Sequence, residues 1–224
     1  MLSVCIGSND AAKRFNSAVV LLEEGRFEEA ISEFDLALFL DGSMAPAFHN
    51  RAVAEQRTGW LTAAIKDYAR SIELDPDLAL SYAGRGSAYI ETGDLSSALE
   101  DLNQSMALDG ESASTRAELG MVLLNLCRTE KALSSLDRAI ELDPEYFPGY
   151  GSRGIAHGRA GQTQLAPADD SKAIELNPSH SLAYTNRGSA HLLQGNMELA
   201  VADLDQENTT AYANRGWSAP RSGN

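Results

Sequence analysis

Along the chain, apolar and small residues return to the same few places every 34 residues, while the residues between them vary. The stretch 79–112 shows the pattern most clearly. Tyr82, Gly86, Tyr89 and Ile90 follow one another at helical steps, Gly93-Asp94 breaks the rhythm, and Leu95, Ala98, Leu99, Leu102 and Met106 resume it. An apolar period near that of a helix on both sides of a glycine break predicts two amphipathic helices joined by a tight turn. The turn glycine recurs as Gly25, Gly59, Gly93, Gly161 and Gly195, with Cys127 in the fourth copy. Five residues later an alanine always follows: Ala30, Ala64, Ala98, Ala132, Ala166 and Ala200. Paired with a small residue on the first helix, such as Gly86, that alanine lets the two backbones approach closely. A helical hairpin repeated at so strict a period predicts a solenoid.

Four copies open on an aromatic (Phe48, Tyr82, Tyr150, Tyr184) and place a small residue four later (Ala52, Gly86, Gly154, Gly188), and three close on a proline (Pro76, Pro144, Pro178). With the turn glycine and the alanine, this pattern resembles the tetratricopeptide repeat (TPR) over residues 11–214. The resemblance implies an all-α, right-handed superhelical solenoid of tandem helix-turn-helix hairpins. Its units are 11–44, 45–78, 79–112, 113–146, 147–180 and a shortened 181–208, with an N-terminal extension 1–10 and a partial seventh unit or tail 209–224.

Three units depart from the pattern. The fourth carries Arg116 at the aromatic place and Cys127 at the turn, where a non-glycine residue is strained if φ is positive. The fifth has Gly149, Gly151, Gly154 and Gly158 on its first helix, and Pro167 and Asp170 on its second where other units are apolar. Interior glycine costs roughly 1 kcal/mol and proline about 3 kcal/mol unless the helix starts later, so 147–180 is expected to be a hinge. In the sixth, AYTNRG (183–188) and AYANRG (211–216) stand 28 apart, and no polar closing helix follows. Such an end implies a fragment of a longer array or an end covered by a partner or a second copy.

Acidic residues outnumber basic ones by 32 to 18, a net charge of −14, which argues against a nucleic-acid partner because a phosphate backbone demands a basic stripe. Clusters such as Glu23-Glu24 and Glu28-Glu29 read as a solvated face. Cys5 and Cys127 form no disulfide framework, and no run of apolar residues is long enough to span a membrane, so a cytoplasmic protein is expected.

Four groups of residues invite a chemical reading. Gly149-Tyr150-Gly151-Ser152-Arg153-Gly154 spells G-x-G-x-x-G, but a repeat helix rather than a strand precedes it, which rejects a dinucleotide site. His157 and His191 are one period apart at the place of Tyr89, a packing position, with no cysteine or carboxylate cluster to complete a metal site. No cofactor is expected. Arg51, Arg85, Arg153, Arg187 and Arg215 recur in the first helices and Asp67, Asp101, Asp169 and Asp203 in the second, a structural ladder expected to pair between repeats. Asn16, Asn50, Asn186 and Asn214 stand one place before the arginines, interrupted by Gly84, Glu118 and Ser152.

In arrays that this chain resembles, asparagines at that place face a concave groove and hydrogen-bond the backbone of an extended peptide, an amide being both donor and acceptor. The resemblance also puts Phe15, Val19, Val53, Ile90, Met121, Leu124, Ile155 and Leu192 in the groove, an apolar trough suited to a peptide or amphipathic helix. The resemblance implies that the family's clamp for a C-terminal carboxylate would need lysine, asparagine, lysine and arginine where this chain has Phe15, Val19, Leu80 and Gly84, with Asn50 alone in keeping. The expected function is that of a non-catalytic scaffold binding another protein in its groove, with possible self-association through the uncapped C-terminal end. The alternative is the repeat portion of a larger enzyme, such as a glycosyltransferase or methyltransferase.

Overall fold

The computed structural model describes the backbone of residues 2–109 and 112–214 and the side chains of residues 9–109 and 112–207. Twelve helices and no strand are present among the described residues. The chain divides into two compact units, Met1–Gly110 and Glu111–Asn224. The first contains α1 (Leu2–Glu23), α2 (Phe27–Leu40), α3 (Ala45–Arg57), α4 (Leu61–Leu74), α5 (Ala79–Thr92) and α6 (Leu95–Leu108). The second contains α7 (Ala113–Asn125), α8 (Thr129–Leu142), α9 (Phe147–Arg159), α10 (Ala166–Leu176), α11 (Ser181–Leu193) and α12 (Met197–Asn214). Consecutive helices pair into six hairpins, three in each unit. Residues 2–10 continue the same helix as the first repeat, and α12 runs unbroken across residue 208.

The turn at the centre of every hairpin is built by one residue with positive φ. In hairpin three, Gly93 (φ 84°) donates to the Ile90 carbonyl at 3.1 Å and Asp94 donates to the Tyr89 carbonyl at 2.9 Å, satisfying two carbonyls that the end of α5 would leave open. Cys127 (φ 57°) makes the same turn in hairpin four and is the one non-glycine residue with positive φ among those described.

The hairpins close around three buried places. The small residue of the first helix (Ala18, Ala52, Gly86, Gly120, Gly154, Gly188) and the alanine of the second are buried in all six. Sixteen residues beyond the small residue comes the plug of the core: Phe34, Tyr68, Leu102 and Leu136 are at most 1% exposed. Burying each such side chain contributes roughly 1.5–3 kcal/mol. The fit is tight. A Cβ added at Gly86 would lie 3.0 Å from Leu102 Cγ, and one at Gly120 would lie 2.6 Å from Leu136 Cγ, so a larger residue would force the helices apart.

Hairpin five forms both its helices. Helix α9 runs through all four glycines, and Gly154 alone among them is needed as the small residue of the interface; Gly158 has nothing near the place of a Cβ. Helix α10 begins five residues after the turn glycine, at Ala166, whereas α4, α6 and α12 begin two after theirs. The delayed start puts Pro167 in the first turn, where its missing N–H breaks no hydrogen bond.

Relief of the turn strain is testable. Cys127→Gly is expected to raise stability by about 1 kcal/mol in urea unfolding, the left-handed penalty being larger than the entropy that glycine gains in the unfolded chain.

Candidate functional site

Within each unit the first helices touch one another in series, α1 with α3 and α3 with α5, then α7 with α9 and α9 with α11, whereas the second helices touch first helices only. The first helices are therefore the closely spaced side of each unit, and the surface they present away from the second helices is its inner face. The candidate residues lie along that series, at different depths.

Asn16 is exposed and Asn50 half-buried, both in the first unit. Phe15 leans on the core, its ring 5.9 Å from Phe34, and Val19 and Val53 pack partly against the core clusters of their hairpins. Ile90, Met121 and Ile155 are half-buried, and Leu192 is 45% exposed. Leu124 is 1% exposed and so is a core residue, not part of a trough. The side chain of Asn214 falls outside the described residues, as does Arg215.

The break in the asparagine row at Gly84 has a packing cause. A Cβ at Gly84 would lie 2.5 Å from the ring of Tyr68, the plug of the preceding hairpin, so no asparagine fits there. Two hairpins of the second unit show the reverse case. There the plug is the shorter Asp170, and Asn186 stands beside it with its Nδ2 atom buried and meeting no acceptor in hydrogen-bond geometry. Asn186 thus faces inward at its amide nitrogen. Tyr68 also organises the inner face of the first unit: its hydroxyl donates to Gln56 Oε1 at 3.1 Å, and Gln56 Nε2 donates to Ser87 and Glu91 of the next hairpin. Gln56 went unnoticed in the sequence because other repeats carry apolar residues or glycine at its place.

The arginine ladder pairs within hairpins and, at Arg51 and Arg153, between them as well. Arg85 Nε and Nη2 donate to both oxygens of Asp101 at 2.7 and 2.8 Å, and Arg51 with Asp67, Arg153 with Asp169 and Arg187 with Asp203 repeat this two-pronged geometry. A third prong does reach the preceding hairpin: Arg51 to Asp35, Arg153 to Asp137 at 2.7 Å, and Arg187 to the Ser171 hydroxyl at 3.0 Å. Each guanidinium also lies 5.4–5.9 Å from the ring centroid of the opening aromatic, Phe48, Tyr82, Tyr150 or Tyr184. These pairs are far from surface pairs, the Asp101 side chain being 8% exposed. The hydrogen bonds that Arg85 donates to Asp101 hold its pKa above the ordinary value. Hairpin four lacks the pair: Leu119 and Ser135 take the two places, Leu119 buried and Ser135 donating to the Arg116 carbonyl at 2.8 Å.

His157 and His191 serve their own hairpins, Nε2 lying 3.5 Å from Asp169 and 4.0 Å from Asp203 respectively. No group of three or more metal-ligating side chains occurs among the described residues. Residues 149–154 lie inside α9, which removes the phosphate loop that a dinucleotide site requires. Glu55 takes the place of Tyr89 in hairpin two. It is 8% exposed, its Oε2 has no partner, and burial, aided by Asp67, pushes its pKa up to about 7. No described helix is long and apolar enough to cross a membrane.

Twelve paired helices with a positive-φ turn, small residues at the crossing and a plug sixteen residues on define a helical repeat array. Family models described as tetratricopeptide repeat match residues 45–78, 83–147 and 152–214, more than half of the chain, and the chain belongs to that family. Among solved structures, it is similar to a tetratricopeptide repeat protein from Parabacteroides merdae, with 17% identity over 93% of this chain and 85% of the other and a TM-score of 0.75. It is also similar to MamA from Desulfovibrio magneticus (20% identity, 76% of this chain and 97% of the other, TM-score 0.67). A third likeness is to YrrB, titled a TPR protein with an unusual peptide-binding site (24% identity, 81% and 97% coverage, TM-score 0.61). At these identities what is shared is the fold. No curated protein matches the sequence significantly.

The ladder is open to a double-mutant test. Arg85→Leu leaves Asp101 buried without its partner and is expected to cost about 3–5 kcal/mol in urea unfolding. Adding Asp101→Ser, which copies Leu119 and Ser135, is expected to recover most of that loss.

Proposed function

We propose that the chain is a non-catalytic scaffold that holds an extended peptide or amphipathic helix of another protein along the inner face of its first helices. One observation carries this reading. In the first unit, Asn16, Val19, Asn50 and Val53 occupy successive first helices and keep part of their surface open. Amides beside apolar side chains offer backbone hydrogen bonds and apolar contact together, which is what an extended segment needs. The likeness to YrrB, whose title names a peptide-binding site, supports the same reading. The net charge of −14 favours a segment with basic residues over an acidic one. A second reading is association of copies through the sixth hairpin, where Leu193 (75%), Met197 (63%) and Leu199 (53%) are exposed together.

A peptide selected against the chain from a random library tests the proposal by calorimetric titration. Asn50→Ala and Val53→Asp are each expected to weaken it about tenfold, near 1.4 kcal/mol, with Lys66→Ala on α4 neutral. Affinity lost instead through Leu193→Ser, with Val53→Asp neutral, would move the contact to the sixth hairpin.

A further inference from the structure

Asp170 stands where every other hairpin has an apolar plug, the place of Phe34, Tyr68, Leu102, Leu136 and Leu204. It is fully buried, and its carboxylate oxygens meet no donor in good hydrogen-bond geometry, the Asn186 amide beside them pairing only loosely. The seam has no slack, since a Cβ at Gly154 on α9 would lie 2.8 Å from Asp170 Oδ1. The charged groups around it are committed elsewhere. On its own helix, Asp169 is held by Arg153 and approached by His157 of α9. From α11, Arg187 is engaged by Asp203 of α12, which His191 also approaches, and the Asn186 amide nitrogen is buried beside Asp170.

We propose that hairpin five is a proton-latched joint, closed while Asp170 is neutral and opened locally, parting α9 from α10, when that carboxylate ionises. The hairpin is built to yield: α10 has lost its first turn, and α9 carries two glycines, Gly151 and Gly158, that its packing does not require. Burial, then the charge of Asp169, pushes the Asp170 pKa up to about 8, with Arg187 and Asn186 acting in the opposite direction. The closed state therefore keeps the proton to about pH 8, whereas the opened state releases it near the ordinary value of 3.8. Opening loses a proton, so it becomes more favourable as pH rises between those values and levels off above about 8. Ser152 and Ile155 lie on α9, so if the inner face binds as proposed above, mild acid preserves that part of the surface and alkali loosens it; the opening itself does not depend on that reading.

Hydrogen exchange of the full chain at pH 6 and pH 8, corrected for the chemical rate, tests the latch. Protection of α9 and α10 is expected to fall by up to about tenfold per pH unit relative to α5 and α6, whose Asp101 is paired. Asp170→Leu, which copies Leu102 and Leu136, is expected to be protected at both pH values, and Asp170→Asn to lose the pH dependence. An unchanged ratio in the natural chain, or a pH dependence that survives in Asp170→Leu, would overturn the proposal.

Discussion

The structure depends on how closely two helices approach at one crossing in each hairpin. A small residue on the first helix and an alanine on the second remove the side chains that would hold the backbones apart. The plug then fills the remaining space, and at Tyr68 it reaches past its own hairpin and limits what the next first helix can carry. Tyr68 leaves room only for glycine at 84, while the shorter Asp170 is met by Asn186. The composition of the inner face is thus partly a record of the packing beneath it.

The ionic ladder shows the same economy. An arginine held by two carboxylate oxygens and an aromatic ring locks the two helices of a hairpin, and its third prong ties that hairpin to the one before. Hairpin four shows that the lock has an apolar equivalent, Leu119 over Ser135. Where a charge is buried without such a partner, as at Glu55 and Asp170, the hairpin's stability is tied to protonation instead.

Most of the fold was legible in the 34-residue period, because a helical hairpin with fixed crossing residues imprints itself on spacing. The Cys127 turn and the late start of α10 also follow from single residues whose backbone preferences are strong, a non-glycine at a positive-φ place and Pro167. Depth was not legible. Leu124, Ile90 and Leu192 occupy one place in three repeats, yet the first is core, the second half-buried and the third exposed, since depth is set by neighbours that the period does not name. For the same reason Asn16 and Asn186 look alike in sequence and differ in the structure, and the arginine ladder, legible as a pattern, could not be assigned to one hairpin or two.

The central claim, that the Tyr68 plug of hairpin two dictates glycine on the inner face of hairpin three, is tested most directly by the coupling between positions 68 and 84. Urea unfolding of Gly84→Asn should show a severe loss with Tyr68 present and a much smaller one in a Tyr68→Leu background, where the ring no longer occupies the space. An equal cost in both backgrounds would contradict the account.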